Sequence, residues 1–275
     1  MTDTLVIACG DLHSNSTVGL CPPRINLDDG GTYGASRVQR WLWSCWLDQV
    51  ERVKAIEARR KVLIINGDIG ELDTKRRSTQ LISSNKAVIQ AIVTDTIAPL
   101  VDVVTDVVII RGTMAHTGKG GWLEESIAQD LDHAIRPGKA KSPASWYHMR
   151  GVFAGVRFDI AHHVSMGSAP MYEKNAANRA SAIALWRYMV DMQQDPPNVL
   201  LRSHNHRYAD SGGNYKTFAV LLPAWTVKTE FAYRIGAENT IADIGSSLFY
   251  CSGGKYVHER LIYKAREERK VWQKL

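Results

Sequence analysis

Carboxylates and imidazoles in this 275-residue chain stand directly behind apolar runs, at places where a strand would end. Leu5-Val6-Ile7-Ala8-Cys9-Gly10 runs into Asp11-Leu12-His13, and Lys61-Val62-Leu63-Ile64-Ile65-Asn66-Gly67 into Asp68. Val107-Val108-Ile109-Ile110 leads to Arg111-Gly112-Thr113-Met114-Ala115-His116, and Val156-Arg157-Phe158-Asp159-Ile160-Ala161 to His162-His163. Val199-Leu200-Leu201 passes through Arg202-Ser203 to His204-Asn205-His206. Asp11, His13, Asp68, His162, His204 and His206 together offer two carboxylates and four imidazoles. That is a donor set for two cations sharing a bridging carboxylate, and a single cation would leave donors over. In extended backbone Asp11 and His13 fall on one face, with Leu12 turned into the core, which suits two ligands of one ion. Alone, the pair would fit a capping aspartate and a surface histidine equally well, so the ordered set carries the reading.

Strands must position these residues. Consecutive apolar, mostly β-branched residues suit strands covered on both faces, and Gly67 permits a tight turn that delivers Asp68 at a strand's carboxyl end, where open α/β sheets hold ligands. Strands are expected over 4–10, 61–66, 106–111, 146–152, 156–161 and 198–202. Val38, Trp41, Leu42, Cys45, Trp46, Val50, Val53 and Ile56 recur at helical spacing and predict a helix over 37–60, its tryptophans packed in the core. Further helices are expected over 79–99, ended by Pro99, over 122–133 with Glu124 and Glu125 in the first turn, and over 176–192. Residues 14–37 read as a long loop rich in Ser, Asn, Gly and Pro. Residues 216–222, 231–235, 248–251 and 256–263 read as strands of an antiparallel extension, and 264–275 as a charged tail.

With 45% hydrophobic residues the chain can bury a full core. One domain over 1–275 is expected, with 207–275 as its β-rich C-terminal extension. No apolar run has the length of a membrane span, and the first residues lack a basic-then-apolar leader pattern, so no membrane partner and a cytoplasmic location are expected. Cys9, Cys21, Cys45 and Cys251 form no C-x-x-C pair, which fits reduced thiols. A net charge of +6 favours phosphate-bearing partners weakly. Lys75-Arg76-Arg77 reads as a solvated charge run or a phosphate grip, and Gly120-Gly121 before a helix as a weak anion-binding turn.

The order D-x-H, G-D, a glycine turn with histidine, an isolated histidine and H-x-H, from Asp11 to His206, resembles the calcineurin-like metallophosphoesterase superfamily. The resemblance implies a four-layer αββα sandwich of two mixed β-sheets. It implies two divalent transition-metal ions, manganese, iron, zinc or nickel, the first on Asp11, His13 and His206, the second on His162 and His204, with Asp68 bridging. Two departures stand out. The family's third motif is usually G-N-H, whereas here Thr113 occupies the asparagine's place and His116 comes two residues late. Ser203 also replaces a common glycine. The altered motif, the Trp-rich helix and Pro223-Ala224-Trp225 look like the phage-encoded branch of the superfamily, which would put the protein in host cytoplasm.

The activity implied is hydrolysis of a phosphate ester by a metal-bound hydroxide, with a nucleotide or small-molecule phosphodiester favoured and nucleic acid also in view. His116 and Asp68 are the expected catalytic residues, and Thr113 or His116 would complete the second metal site. Arg111, Lys119 and Arg76 are the expected substrate contacts, while Asn66, Asn205 and Asp159 would support the ligands. Other readings are a DNA nuclease of the SbcD kind, a phosphomonoesterase or phosphoprotein phosphatase, and a metal-binding homologue without turnover.

Overall fold

The computed structural model describes residues 2–74, 80–164, 173–229 and 242–264, and of Glu173 and Lys174 the backbone alone. The first sheet is built on β1 (Thr2–Cys9), β4 (Ala58–Asn66) and β5 (Asp106–Ile110), which run parallel, with β11 (Ile244–Ser252) antiparallel to β1 and β12 (Lys255–Tyr263) outermost. The second has the order β6 (His148–Phe153), β7 (Val156–Ala161), β8 (Val199–Arg202), β10 (Phe218–Leu221) and β9 (Ala209–Asp210). Strands β7, β8 and β10 are parallel, and the two outer strands are antiparallel to their neighbours.

Side-chain alternation explains why the apolar runs are continuous. Leu5, Ile7 and Cys9 of β1 face a core with Leu63 and Ile65 of β4 and Val107 and Ile109 of β5. Covering it are α1 (Arg37–Ala55), α2 (Lys86–Val101) and, after the short α3 (Met114–Thr117), α4 (Trp122–Asp130); α1, α2 and α4 contribute Leu42, Trp46, Ile89, Val93, Leu123 and Ile127. The intervening Val6, Ala8, Val62, Ile64, Val108 and Ile110 face the other way, onto Phe153, Phe158, Ile160, Val199, Leu201 and Val220 of the second sheet. Each strand is therefore apolar on both faces. The outer face of the second sheet packs Leu200, Ala209 and Leu221 under Ala177, Ala180 and Ala184 of α5 (Glu173–Trp186), which continues as a π-helical turn over Arg187–Asp191. Helices, sheet, sheet and helix make the four-layer αββα sandwich expected. Each large side chain fully buried in these layers contributes roughly 1.5–3 kcal/mol.

Several boundaries differ from the sequence expectation. The helix expected to reach residue 60 ends at Ala55, because Ile56 takes an extended backbone and Ala58 and Arg60 pair with Thr2 and Thr4 of β1. Its start is fixed by a capping box between Ser36 and Gln39, and Trp46 meets Trp225 edge-on with ring centroids 4.9 Å apart, so this tryptophan is core. Helix α2 begins only at Lys86, where the Asn85 side chain caps Ala87. It runs past Pro99, because a proline in the last turn removes one hydrogen bond while Asp102 N–H still reaches Ala98 O at 2.9 Å. The helix expected over 122–133 stops at Asp130, where Leu131 is extended. The long loop 14–37 holds a small hairpin of β2 (Arg24–Asn26) and β3 (Thr32–Gly34).

The late strands divide between the sheets: β10 lies parallel to β8 in the second, and the β11–β12 hairpin completes the first. The strand expected over 231–235 and the tail beyond residue 264 lie outside the described residues. Among the described residues no helix is long and apolar enough to cross a membrane.

Candidate metal centre

The carboxyl ends of β1, β4, β5, β7 and β8 bring the sequence-predicted residues to one place. The chain leaves β1 and β4 side by side, with Asp11 N–H on Gly67 O at 2.9 Å and His13 N–H on Asp68 O at 3.0 Å. Asp11, His13, Asp68, His204 and His206 all adopt positive φ, between 45° and 77°. A left-handed backbone costs a non-glycine residue roughly 1–2 kcal/mol, and the folded surroundings hold that strain at the site. Glycine is required at two neighbours. A Cβ on Gly67 (φ 84°) would overlap the His162 ring, and one on Gly112 would overlap the backbone and carboxylate of Asp68.

Asp11, His13 and His206 form one donor group. His13 Nε2 and His206 Nε2 approach to 3.2 Å, and His206 Nε2 lies 3.4 Å from Asp11 Oδ1. His13 Nδ1 donates to Glu71 at 2.9 Å, which leaves its Nε2 lone pair toward the group. Asp11 Oδ2 accepts from His204 N–H at 3.0 Å, and Asp68 Oδ1 accepts from Thr113 N–H at 2.5 Å. The opposite oxygens, Asp11 Oδ1 and Asp68 Oδ2, are sealed from solvent with no aligned hydrogen-bond donor among the described residues.

Two buried carboxylate oxygens without aligned donors, ringed by imidazole nitrogens, fit divalent cations. The charge around His162 favours a cation in the same place. Burial alone would lower its pKa, but the Asp68 and Asp11 carboxylates raise it to about 9. Burial alone would likewise raise Asp68, yet His162 holds it well below the usual carboxylate range.

The second donor group is His162, His163 and His204. His162 is fixed by its Nδ1, 2.7 Å from Asn66 O, so that Nε2 faces Asp68 Oδ2 at 3.1 Å. Thr113 Oγ1 stands among the three rings, 3.4 Å from His162 Nε2, 3.3 Å from His163 Nε2 and 3.3 Å from His204 Nδ1. His163 follows His162 directly in sequence, and the structure brings both to the cluster.

His116 is not part of that cluster. Its Nδ1 binds Glu71, and its ring meets the His13 ring edge-on at 4.7 Å between centroids, so it stands on the Asp11–His13–His206 side. Burial opposes charging His116, but Glu71 and Asp68 outweigh it and raise its pKa. Glu71 went unrecognised in the sequence, where it follows Asp68 with no apolar run of its own. Glu124, read as a first-turn helix charge, is fully buried and accepts from Gly112 N–H at 3.1 Å. Burial and nearby Asp68 push its carboxyl up to about 7.

The expected substrate contacts are not gathered in the same way. The Arg111 guanidinium is spent within the protein, on Ser145 Oγ, Gly120 O and the Glu125 carboxylate. Lys119 is exposed, and Arg76 lies outside the described residues. Of the supporting residues, Asn66 joins the two sheets by donating to Ala161 O at 3.1 Å and to Ser203 Oγ at 2.8 Å, which gives the Ser203 hydroxyl a role. Asn205 is exposed. Asp159 does not support the ligands: strand alternation turns it to the outer face, where it binds His148, Arg202 and Tyr188.

No family model and no curated protein matches this chain. Among solved structures it is similar to Vacuolar Protein Sorting 29 from Cryptosporidium parvum, at 13% identity and a TM-score of 0.46, covering 96% of this chain and 100% of that one. Vps29 from Chaetomium thermophilum is 11% identical with a TM-score of 0.46, covering 96% and 98%. A dimetal phosphatase from Danio rerio is 9% identical with a TM-score of 0.45, covering 94% and 96%.

Proposed function

We propose that this chain is a metal-dependent phosphoesterase that hydrolyses a phosphodiester of a nucleotide or small molecule. The observation that carries the reading is the pair of buried oxygens, Asp11 Oδ1 and Asp68 Oδ2, that lack an aligned donor and face imidazole nitrogens of two groups. Asp11, His13 and His206 would hold one divalent ion, His162 and His204 the other, and Asp68 would lie between them. When bound, such a pair of ions lowers the pKa of a water and neutralises phosphoryl oxygens.

The residues of the chain supply the rest. Thr113 N–H and the tight turn at Gly112 aim the Asp68 carboxylate. Glu71 holds Nδ1 of His116 and so leaves Nε2 to donate a proton to the leaving oxygen. The net charge of +6 suits an anionic substrate. The phage-encoded branch and a cytoplasmic location have their support in the sequence pattern.

The test is hydrolysis of an aryl phosphodiester, an aryl phosphomonoester, cyclic nucleotides and single-stranded DNA by protein loaded with manganese or zinc. Diester cleavage is expected, lost in Asp68→Asn. Monoester cleavage alone would overturn the diester preference, and DNA cleavage alone would favour the nuclease. Two ions held with no hydrolysis would leave the metal-binding homologue.

A further inference from the structure

A second ion needs more donors than His162, His204 and a shared Asp68 oxygen, and neither candidate singled out in the sequence supplies one well. Thr113 offers a neutral hydroxyl, a poor ligand. His116 is turned away, with its Nδ1 2.9 Å from both Glu71 oxygens. The described residues hold a better donor. One ring nitrogen from each of His162, His163 and His204 lies inside a single group, all within 4.8 Å of one another. The ring centroids of His163 stand 4.8 Å from those of both His162 and His204. Thr113 Oγ1, at 3.3–3.4 Å from the three nitrogens, marks the point they surround. At those distances each contact is long for a hydrogen bond, so the hydroxyl is a loose neighbour of the three imidazoles.

We infer that His163 is the third imidazole of the second metal site, so that His162, His163, His204 and Asp68 Oδ2 bind one zinc-like divalent ion. Nitrogens 2.0–2.1 Å from a tetrahedral ion lie about 3.3 Å apart. Closing the triangle takes modest ring rotation, and both His163 and His204 are exposed and have room to turn. Three nitrogens and one oxygen suit zinc, nickel or cobalt, whereas oxygen-rich sites suit manganese or magnesium. The first site, with Asp11 and Asp68 carboxylates, is richer in oxygen, so the two positions differ in preference. The inference rests on the metal-binding half of the proposed function and not on turnover.

The test is metal binding by the full chain, stripped with chelator and titrated separately with zinc and manganese. Ions per chain are counted by elemental analysis, and the cobalt-loaded form is followed by visible absorption. Wild type should hold two zinc ions. His163→Ala should hold one as before and the second at least about tenfold more weakly, with a changed cobalt spectrum. Thr113→Asn added to His163→Ala supplies an amide oxygen and should restore the second ion, with a smaller zinc-over-manganese preference than wild type. Retention of the first zinc shows that the variant is folded. Unchanged affinity for the second zinc in His163→Ala, or a single zinc in wild type, would overturn the inference. Two zinc ions that respond to His163→Ala without any phosphate-ester hydrolysis would support it while overturning the proposed activity.

Discussion

His116 Nδ1 lies 2.9 Å from both carboxylate oxygens of Glu71, and one of those oxygens also holds His13 Nδ1 at 2.9 Å. One carboxylate therefore orients a candidate metal ligand and the candidate proton donor together. Burial would raise the Glu71 carboxyl, but the two imidazoles lower it to about 2, so it is an acceptor throughout the neutral range. Its side chain is only 12% exposed, which limits replacement of either imidazole by water.

Glu71→Gln keeps the shape but halves the acceptor capacity and removes the charge. Metal affinity at the Asp11–His13–His206 group should fall about 10–100-fold, as when other carboxylates behind metal-bound histidines are altered. Turnover should fall with it, since His116 loses its orientation. Zinc titration and turnover on the same variant check both effects. Unchanged values in both would show that Glu71 holds neither ring in a way that matters.

His116→Ala should lower turnover by roughly 10²–10⁴-fold and leave two ions bound. The structure sharpens this expectation by placing the His116 ring beside His13 and outside the His162–His163–His204 group. Loss should shrink for substrates with good leaving groups, because an acidic phenol needs little protonation whereas an alkoxide needs much. Leaving-group dependence measured with metal content on the one variant checks it. Loss of the second ion would instead give His116 the ligand role that the geometry assigns to His163.

The strand ends were legible because sheets covered on both faces demand unbroken apolar runs. Val6, Ala8, Val62 and Ile64 face one core while Leu5, Ile7, Leu63 and Ile65 face the other. The bridging carboxylate was legible because Gly67 marks the turn that carries it. Glu71 was not, because its meeting with His13 and His116 depends on how the chain folds after Asp68, and no periodicity encodes that. Asp159 was placed wrongly for a reason the sequence contains: Phe158, Ile160 and His162 alternate inward, so Asp159 must face outward. The helix over 37–60 was too long because the apolar spacing ran on through Ile56 although β4 pairing claims the residues beyond it.

Asp159 supplies a prediction about acid stability. Burial would raise its carboxyl, but His148, Arg202 and Tyr188 hold it well below the usual range, and its side chain is 5% exposed. A carboxylate whose folded pKa lies below its unfolded value of about 3.9 adds stability above that value and loses it as pH falls toward the folded one. Asp159→Asn should therefore cost about 1–3 kcal/mol at pH 7. The gap from wild type should narrow below pH about 4, where the carboxylate protonates in the unfolded wild-type chain while it stays ionised in the folded one. Denaturant unfolding at a series of pH values checks it, and a gap that widens in acid would be the wrong sign for this network.

Metal removal should destabilise the fold itself. Asp11 Oδ1 and Asp68 Oδ2 are buried without aligned donors, so any cation that satisfies them binds the folded chain and not the unfolded one. At an ion concentration about 100-fold above the dissociation constant, linkage adds about 2.7 kcal/mol per site, seen as a higher Tm that chelator reverses. Asp68→Asn separates charge from backbone strain. Asp68 sits at φ 49°, a region that asparagine also tolerates, so the variant keeps the turn and the Thr113 contact while removing the shared charge. Most of the metal-dependent rise in Tm should then disappear, although the variant folds in chelator. If Asp68→Asn retained the full rise, Asp68 would not be the carboxylate shared between the ions, and the two imidazole groups would have to bind independently of it.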